Sequence, residues 1–195
     1  MKSQAIACAL LAGISATALS IVPAAAAAAQ NEAQNDTYSQ NEVVAEASRF
    51  FGITTEAVAQ AVEKIFARYG RPNAMIVGNE GSGAIGVGVR YGEGNLLRKG
   101  AAPVKVFWQG PSIGFDVGAN AAKNFTLVYN LPAADRIFQR FPGVEGSYYF
   151  IAGIGVNYQQ AGDIVLAPMR TGVGLRAGAN IGYLSYTRER NILPF

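Results

Sequence analysis

The sequence predicts a mainly β protein of the α+β class, with helices at its N-terminus and a small antiparallel β-barrel of about eight strands. First, a segment at 113–120 that alternates apolar residues with glycine or polar ones recurs at 173–180, which indicates two repeated four-strand units. Second, turn-forming residues arrive about every ten positions after residue 73, the rhythm of hairpin-connected strands. Third, helical spacing of apolar residues is confined to 41–70. A two-sheet sandwich is the alternative arrangement of the same strands.

The first 29 residues have the features of a secretory signal peptide. Lys2 supplies the basic start, an apolar stretch follows, and Pro23 precedes a run of alanines. Glycine, serine and threonine within the apolar stretch make it a poor membrane-spanning helix. We therefore predict cleavage after Ala29, a disordered polar leader over 30–40, and a single domain over 41–195.

Cysteine and histidine, which carry much enzyme chemistry, are both absent from the predicted mature protein. Cys8, inside the predicted signal peptide, is the only cysteine, and histidine is absent from the chain. The mature protein therefore has no disulfide, no thiolate or histidine metal ligand and no serine–histidine pair. The formal net charge of +3 is too small to indicate a nucleic-acid partner. We expect no metal and no cofactor.

Two helices are predicted in the segment 41–70. Asn41 is expected to cap the first and Thr54 or Thr55 the second, while Gly52 and Gly70 end them. Each helix carries a single apolar stripe, which is more typical of core packing than of membrane binding. The stripes consist of Val43, Val44, Ala47 and Phe51, and then of Val58, Ala61, Val62, Ile65, Phe66 and Tyr69.

Strands are predicted through the barrel region, 73–195, with a short helix at 132–140 between its two halves. The second half follows the order of the first, because 86–91 is echoed by 153–158 and 104–109 by 163–168. The predicted strands are 74–77, 84–91, 95–98, 104–109, 113–120, 125–131, 148–158, 163–167, 173–180 and 182–187.

Two glycine motifs resemble catalytic or nucleotide-binding signatures. Residues 81–86 fit G-x-G-x-x-G, and residues 110–114 fit G-x-S-x-G with Ser112 as the serine. Both signatures require a helix immediately afterwards, and the second also requires a base such as histidine. Since strands are predicted after both, we interpret 81–86 as hairpin glycines and Ser112 as a turn residue.

A transmembrane barrel is a further possibility for an exported β protein, and the chain ends in Phe195 as many such barrels do. Pro194 beside it, and Glu189 and Asn191 at positions that would face lipid, argue against insertion. We therefore predict no integral membrane insertion.

One set of residues is a candidate polar pocket or ion pair. Asp116 and Arg176 occupy the same position in the two repeats, each flanked by apolar residues that alternate with glycine. If the repeats are related by approximate symmetry, these opposite charges face each other inside the barrel, with Arg90 and Trp108 as walls. A structural ion pair and a ligand-binding pocket are both consistent with this arrangement.

The chain also closely resembles the envelope integrity protein A family of alphaproteobacteria, over 41–195. The block from Trp108 to Asp116 is the most specific part of the likeness. The resemblance implies a soluble periplasmic protein with a small β-barrel and a role in cell-envelope integrity, and it implies no catalytic residues. The other shared motifs are Phe50-Phe51-Gly52, Thr54-Thr55-Glu56, Val62-Glu63-Lys64, Arg90-Tyr91-Gly92, Leu127-Val128-Tyr129-Asn130-Leu131, Arg140-Phe141-Pro142-Gly143-Val144, Leu166-Ala167-Pro168 and Gly172-Val173-Gly174-Leu175-Arg176.

Three functions are compatible with these observations. The first is a non-enzymatic periplasmic protein that supports envelope integrity by binding an envelope lipid, glycan or protein; the glycine-rich strands resemble lipid-binding modules by analogy alone. The second is a carboxylate-dependent enzyme acting on an envelope polymer, with Glu80, Glu93, Asp116 and Asp163 as candidates. The third is a partner that docks through the acidic N-terminal segment.

Overall fold

The computed structural model describes residues 36–171 and 182–191, without the side chains of 82–88 and 112–121. The predicted signal peptide, most of the predicted leader and the second copy of the repeat lie outside the described residues. Within the described residues, two α-helices are followed by eight strands. They are α1 (Gln40–Phe51), α2 (Thr55–Tyr69), β1 (Ala74–Leu97), β2 (Val104–Tyr129), β3 (Arg140–Pro142), β4 (Tyr149–Ile151), β5 (Ile154–Val156), β6 (Gln159–Ala161), β7 (Ile164–Thr171) and β8 (Tyr183–Thr187).

Helix α1 begins two residues earlier than predicted, because Ser39 and not Asn41 is its N-cap. The Ser39 hydroxyl accepts from the Glu42 backbone N–H, and the Glu42 carboxylate accepts from the Ser39 N–H, which completes a capping box. The predicted leader also ends too late. The Tyr38 N–H donates to the Pro72 carbonyl at 2.9 Å, and the Arg71 side chain donates to Thr37, so the folded domain includes these residues.

The apolar stripes of both helices are confirmed. Val43, Val44, Ala47 and Phe51 are the buried residues of α1, and Val58, Ala61, Val62 and Ile65 are those of α2. Gly52 and Gly70 end the helices with positive φ, as a glycine permits. Lys123 of β2 donates to the last carbonyls of α1, at 2.7 Å from the Phe50 oxygen, and thereby attaches this helix to the sheet.

Strands β1 and β2 form one long antiparallel ribbon, which the sequence predicts as several shorter strands. Pairing runs from Ala74 opposite Val128 to Leu96 opposite Val104, with one irregularity between Ser82 and Ala84. The hairpin turn predicted at 81–86 is wrong, since these residues lie inside β1. The turn predicted at Ser112 is also wrong, because Ser112 pairs with Gly88 within the ribbon.

The ribbon bends back on itself, so that two parts of β1 touch. A Cβ added at Gly78 would overlap the Glu93 carbonyl, and one added at Gly94 would overlap the Val77 carbonyl. Two backbones approach this closely only where both positions lack a side chain. The glycines therefore mark the point at which the curled ribbon crosses itself.

The sheet is antiparallel throughout, and its strands follow the order β3-β8-β2-β7-β5-β4, with β1 paired to β2 and β6 to β7. The opposite ends of β2 pair with different partners, Phe107 with Thr187 of β8 and Tyr129 with Val165 of β7. A single bridge between Gly143 and Gln159 joins the end of β3 to β6 and completes the curl. The predicted class, a mainly antiparallel barrel-like fold with N-terminal helices, is confirmed.

Two local predictions between the halves need correction. The predicted helix at 132–140 is a single 3-10 turn over Ala134–Ile137, followed directly by β3. The predicted strand 148–158 is a hairpin of β4 and β5, turned at Ala152 and Gly153, which both have positive φ. Residues 86–91 are continuous within β1. Residues 153–158, which echo them in the sequence, begin in this turn.

Alternate residues of the sheet enter two separate cores. Odd-numbered positions such as Met75, Leu127 and Ala167 pack against α1 and α2. Even-numbered positions such as Ile76, Val106 and Leu166 form a second core on the other face. The second core is enclosed by the curl of the sheet, and the candidate site lies at its edge.

Candidate functional site

A buried carboxylate, Glu80, is the centre of a polar cluster at the edge of the second core. It continues the even-numbered face of β1 after Ala74, Ile76 and Gly78, a position where an apolar residue is expected. Only 6% of its surface is exposed. A charged group at such a position requires partners on the neighbouring strands.

Those partners come from three strands. Arg90 of β1 and Arg170 of β7 place their Nε atoms 3.0 and 3.1 Å from Glu80 Oε1. Trp108 Nε1 and Asn124 Nδ2, both of β2, donate to Glu80 Oε2 at 2.9 and 3.1 Å. Both carboxylate oxygens are therefore occupied by nitrogen donors.

The cluster holds Glu80 in its ionised form. Burial raises the pKa of the carboxyl, but Arg170, Arg90 and the bonds from Trp108 and Asn124 outweigh burial and leave the pKa below its usual range. The residue cannot act as a general acid near neutral pH, because such an acid needs a raised pKa.

Further polar side chains contact the members of the ion cluster. The Thr126 hydroxyl donates to Asn124 Oδ1 at 2.9 Å, which orients the amide that binds Glu80. Arg170 Nη1 donates to Asn157 Oδ1 at 2.8 Å, whereas its buried Nε and Nη2 make no hydrogen bond of good geometry within the described part of the chain, so Nε contacts Glu80 as a charge. Burial also raises the pKa of the neighbouring Tyr186 hydroxyl.

Trp108 connects this cluster to the surface. Its indole is buried, lies against Tyr186 at a ring distance of 5.9 Å, and covers Gly92, where an added Cβ would overlap the ring. The hydrogen bond from Nε1 to Glu80 fixes the rotation of the ring. Glu80 is therefore a positioning residue for Trp108.

A cleft of about 440 Å³ opens above the indole. Tyr91, Phe107, Trp108, Glu80 and Gln109 are among the residues that border it, although the Trp108 ring itself is buried. Tyr91 is 37% exposed, so its ring is accessible from solvent. A volume of this size falls within the roughly 300–1,000 Å³ of small-molecule sites, and aromatic walls with a few polar groups are typical of them.

The rim of the cleft carries charges that are bonded to one another. Glu93 lies 2.7 Å from Arg190 Nη2 and 3.7 Å from Lys105 Nζ. The hydrogen bond from Arg190 and then the charge of Lys105 lower the pKa of Glu93, which is exposed and ionised. Both cations also lie over the Phe107 ring, at 5.4 Å for Lys105 and 5.9 Å for Arg190. The ion pairs thereby hold an aromatic wall in place.

The polar pocket or ion pair predicted from the sequence, with Asp116, Arg176, Arg90 and Trp108, stays a prediction. Arg90 and Trp108, predicted as pocket walls, both bind Glu80. Arg176 and the side chain of Asp116 lie outside the described residues, so their pairing stays a prediction. The sequence does not predict that Glu80 and Arg170 are partners. The alternation along each strand does indicate that both face inward, since Arg170 follows Ile164 and Leu166 at even-numbered positions of β7.

The described residues define a class: a small, barrel-like antiparallel sheet with two N-terminal helices and a buried ion cluster beneath an aromatic cleft. The chain belongs to the envelope integrity protein A family, whose sequence profile matches residues 36–195. The resemblance stated from the sequence motifs is thereby confirmed.

A solved structure supports the fold. The chain is similar to a protein from Brucella abortus whose crystal structure is described as that of a β-barrel-like, uncharacterised protein. The two are 49% identical in sequence, with a TM-score of 0.75 over 82% of this chain and 99% of that chain. No curated protein matches the chain. Within residues 36–171 and 182–191, no helix is long and apolar enough to cross a membrane.

Proposed function

We propose that the protein is a non-catalytic periplasmic factor that supports envelope integrity by binding an envelope lipid, glycan or protein in the cleft above Trp108. Family membership connects the chain to the cell envelope. The predicted signal peptide over 1–29 supports export to the periplasm. The observation that carries the proposal is the cleft itself, which the accessible Tyr91 borders next to a buried ion cluster.

The chemistry of the carboxylates supports a binding role over an enzymatic one. Glycoside hydrolysis needs one carboxyl group with a raised pKa as the acid. Glu80 and Glu93, the two candidates beside the cleft, both have lowered pKa values because arginines and a lysine surround them. Asp163 lies instead on the rim of a separate groove at the β6–β7 turn. Glu80 and Glu93 are therefore suited to holding neighbouring side chains in place and not to proton transfer.

The binding role is testable in cells from which the gene has been deleted. We expect such cells to become sensitive to detergents that attack the envelope, and the wild-type gene to restore resistance. Tyr91→Ala should fail to restore it, because the substitution removes an accessible wall of the cleft. Tyr148→Ala is the matched control, since Tyr148 is also 37% exposed and does not line the cleft.

The measurement is survival in detergent at equal periplasmic protein levels, checked by fractionation and immunoblotting. Full resistance with Tyr91→Ala would contradict a function at this cleft. Equal loss with both tyrosine variants would also contradict it, because exposed aromatic residues in general would then be responsible. Recovery of the protein in the cytoplasmic fraction alone would contradict the periplasmic location.

A further inference from the structure

We infer that the groove at the β6–β7 turn binds a short peptide with free ends, with the peptide ammonium at Asp163 and the peptide carboxylate at Arg136. This groove, called the β6–β7 groove below, is bordered by the end of α2, the 3-10 turn, the end of β2 and the β6–β7 turn. No described residue borders both this groove and the Trp108 cleft. The site is therefore a second one, which goes beyond the proposed function.

The β6–β7 groove is large enough for a small ligand, and its exposed border is mainly polar. Its volume is about 860 Å³, and small-molecule sites occupy roughly 300–1,000 Å³. Among its apolar residues, Tyr69 is partly exposed, whereas Ile164 and Val165 are buried. Polar groups therefore decide which ligand fits. The exposed polar residues on the border are Asn130, Arg136, Gln160 and Asp163.

Two opposite charges border the groove without pairing. Arg136 and Asp163 are both exposed, and neither forms an ion pair with any residue in the described ranges. At the rim of the Trp108 cleft, by contrast, Glu93 and Arg190 lie 2.7 Å apart. Opposite charges that border one space but remain apart leave room for a ligand that carries both charges. The free ends of a peptide are such a pair, and free ends are a known basis of peptide capture.

Amides on the border hold the backbone of both charged residues. Asn130 Nδ2 donates to the Asp163 carbonyl at 2.9 Å, and Gln139 Nε2 donates to the Arg136 carbonyl at 2.6 Å. Asn130 also adopts a φ of 57°, a strained conformation outside glycine that persists only where the surroundings hold it. The two turns that carry the charges are therefore fixed before a ligand arrives, which reduces the cost of ordering on binding.

The same amides supply acceptors for a peptide. Asn130, Gln139 and Gln160 each use their side-chain nitrogen to bind a backbone carbonyl, so each leaves its amide oxygen as an acceptor. None of these three oxygens accepts from another described residue. A peptide brings an ammonium group, N–H donors along its backbone and one carboxylate. A phosphate group or an acyl chain lacks such donors, and neither matches Asp163.

The test is a calorimetric titration of mature protein, residues 30–195, with alanine peptides of two, three and four residues. We expect saturable binding of at least one length with free ends. Acetylation of the peptide N-terminus, or amidation of its C-terminus, removes one charge and should weaken binding at least about tenfold. Both losses are expected, because each end has its own partner in the groove.

Variants of the two charged residues assign the ends of the peptide. Asp163→Asn should bind free and acetylated peptide equally, and Arg136→Gln should bind free and amidated peptide equally. Glu145→Gln and Arg140→Gln are the matched controls, because both residues are exposed and neither borders the groove. They should discriminate against capped peptides as the wild type does. Circular dichroism checks that each variant is folded, as expected for changes at exposed positions.

No saturable binding of any alanine peptide overturns the peptide assignment, and so does binding that capping leaves unchanged. Wild-type discrimination in both Asp163→Asn and Arg136→Gln would mean that the peptide binds elsewhere. Tyr91→Ala, in the Trp108 cleft, should bind the peptide as the wild type does. Loss of peptide binding in that variant would move the ligand to the Trp108 cleft and overturn a second site at the β6–β7 groove.

Discussion

At the scale of single residues, the charge of Glu80 is stabilised by neighbours from three strands. Desolvating a carboxylate is costly, and the site compensates with two arginine side chains and two neutral donors within 3.1 Å. The arginines depend on Glu80 in turn, because they are themselves largely buried, with 13% and 7% of their side chains exposed. Removing the carboxylate charge would leave two like charges facing each other.

Glu80→Gln should therefore lower the free energy of unfolding by about 3–5 kcal/mol, the usual cost of breaking a buried ion pair from one side. Urea unfolding followed by Trp108 fluorescence measures this change. Glu93→Gln is the control, because Glu93 also contacts two cations but is exposed. We expect Glu93→Gln to cost far less. Equal losses in the two variants would show that burial of Glu80 does not matter.

The lowered pKa of Glu80 also predicts how stability depends on pH. Its pKa is lower in the folded than in the unfolded chain, so the unfolded chain binds more protons as the pH falls below the ordinary value of 4.5. The stabilisation is present above that value and is lost as the pH falls towards the folded pKa. Glu80→Gln should remove this part of the acid dependence, which urea unfolding between about pH 7 and pH 3 measures. Parallel curves for wild type and variant would contradict the assignment.

The sequence singles out Arg90 and Trp108 only as walls of a pocket around Asp116 and Arg176, and not as partners of Glu80. Arg90 and Trp108 belong to motifs that stand out in the chain, whereas Glu80 and Arg170 are defined only by what lies across the sheet. They are 90 positions apart (170 − 80), and only the pairing of β1 with β2 and of β2 with β7 brings them together. Alternation along one strand predicts that both face inward. It does not reveal that the two meet.

At the scale of elements, the sequence predicts the two N-terminal helices well and the long ribbon poorly. Helix ends depend on local chemistry, so Gly52 and Gly70 are visible as stops in the sequence. Glycine inside a strand has the same signature as glycine in a turn, and the sequence therefore predicts hairpin glycines at 81–86 and a turn at Ser112. Only the pairing partner across β2 distinguishes the two, and that information is not local.

The packing of α2 leads to a prediction for the element as a whole. Ile65 is fully buried between the helix and the odd-numbered face of the sheet. Ile65→Ala should lower the free energy of unfolding by about 2–5 kcal/mol, because it removes buried methylene groups and leaves a cavity. Gln60→Ala, on the exposed face of the same helix, should change it by less than about 0.5 kcal/mol. Thermal or urea unfolding that does not distinguish the two would mean that α2 does not contribute to the domain core.

At the scale of the whole molecule, the curl of the sheet separates the two cores and creates the cleft. Asn79 to Gly81 and Tyr91 to Glu93 come from the same strand, yet they border one space because the ribbon folds over. The crossing at Gly78 and Gly94 lies next to that space. The cleft and the fold therefore depend on the same bend.

The crossing gives a prediction for the molecule as a whole. Gly94→Ala introduces a Cβ against the Val77 carbonyl, and backbone atoms cannot turn aside as a side chain can. The two layers must separate, so we expect a loss of about 1–3 kcal/mol in the free energy of unfolding. Gly81→Ala is the matched control in the same strand, because nothing lies within 4 Å of its added Cβ. It should be neutral or slightly stabilising, since alanine restricts the unfolded chain. Urea unfolding measures both variants, and a Gly94→Ala protein as stable as Gly81→Ala would exclude a tight crossing at this point.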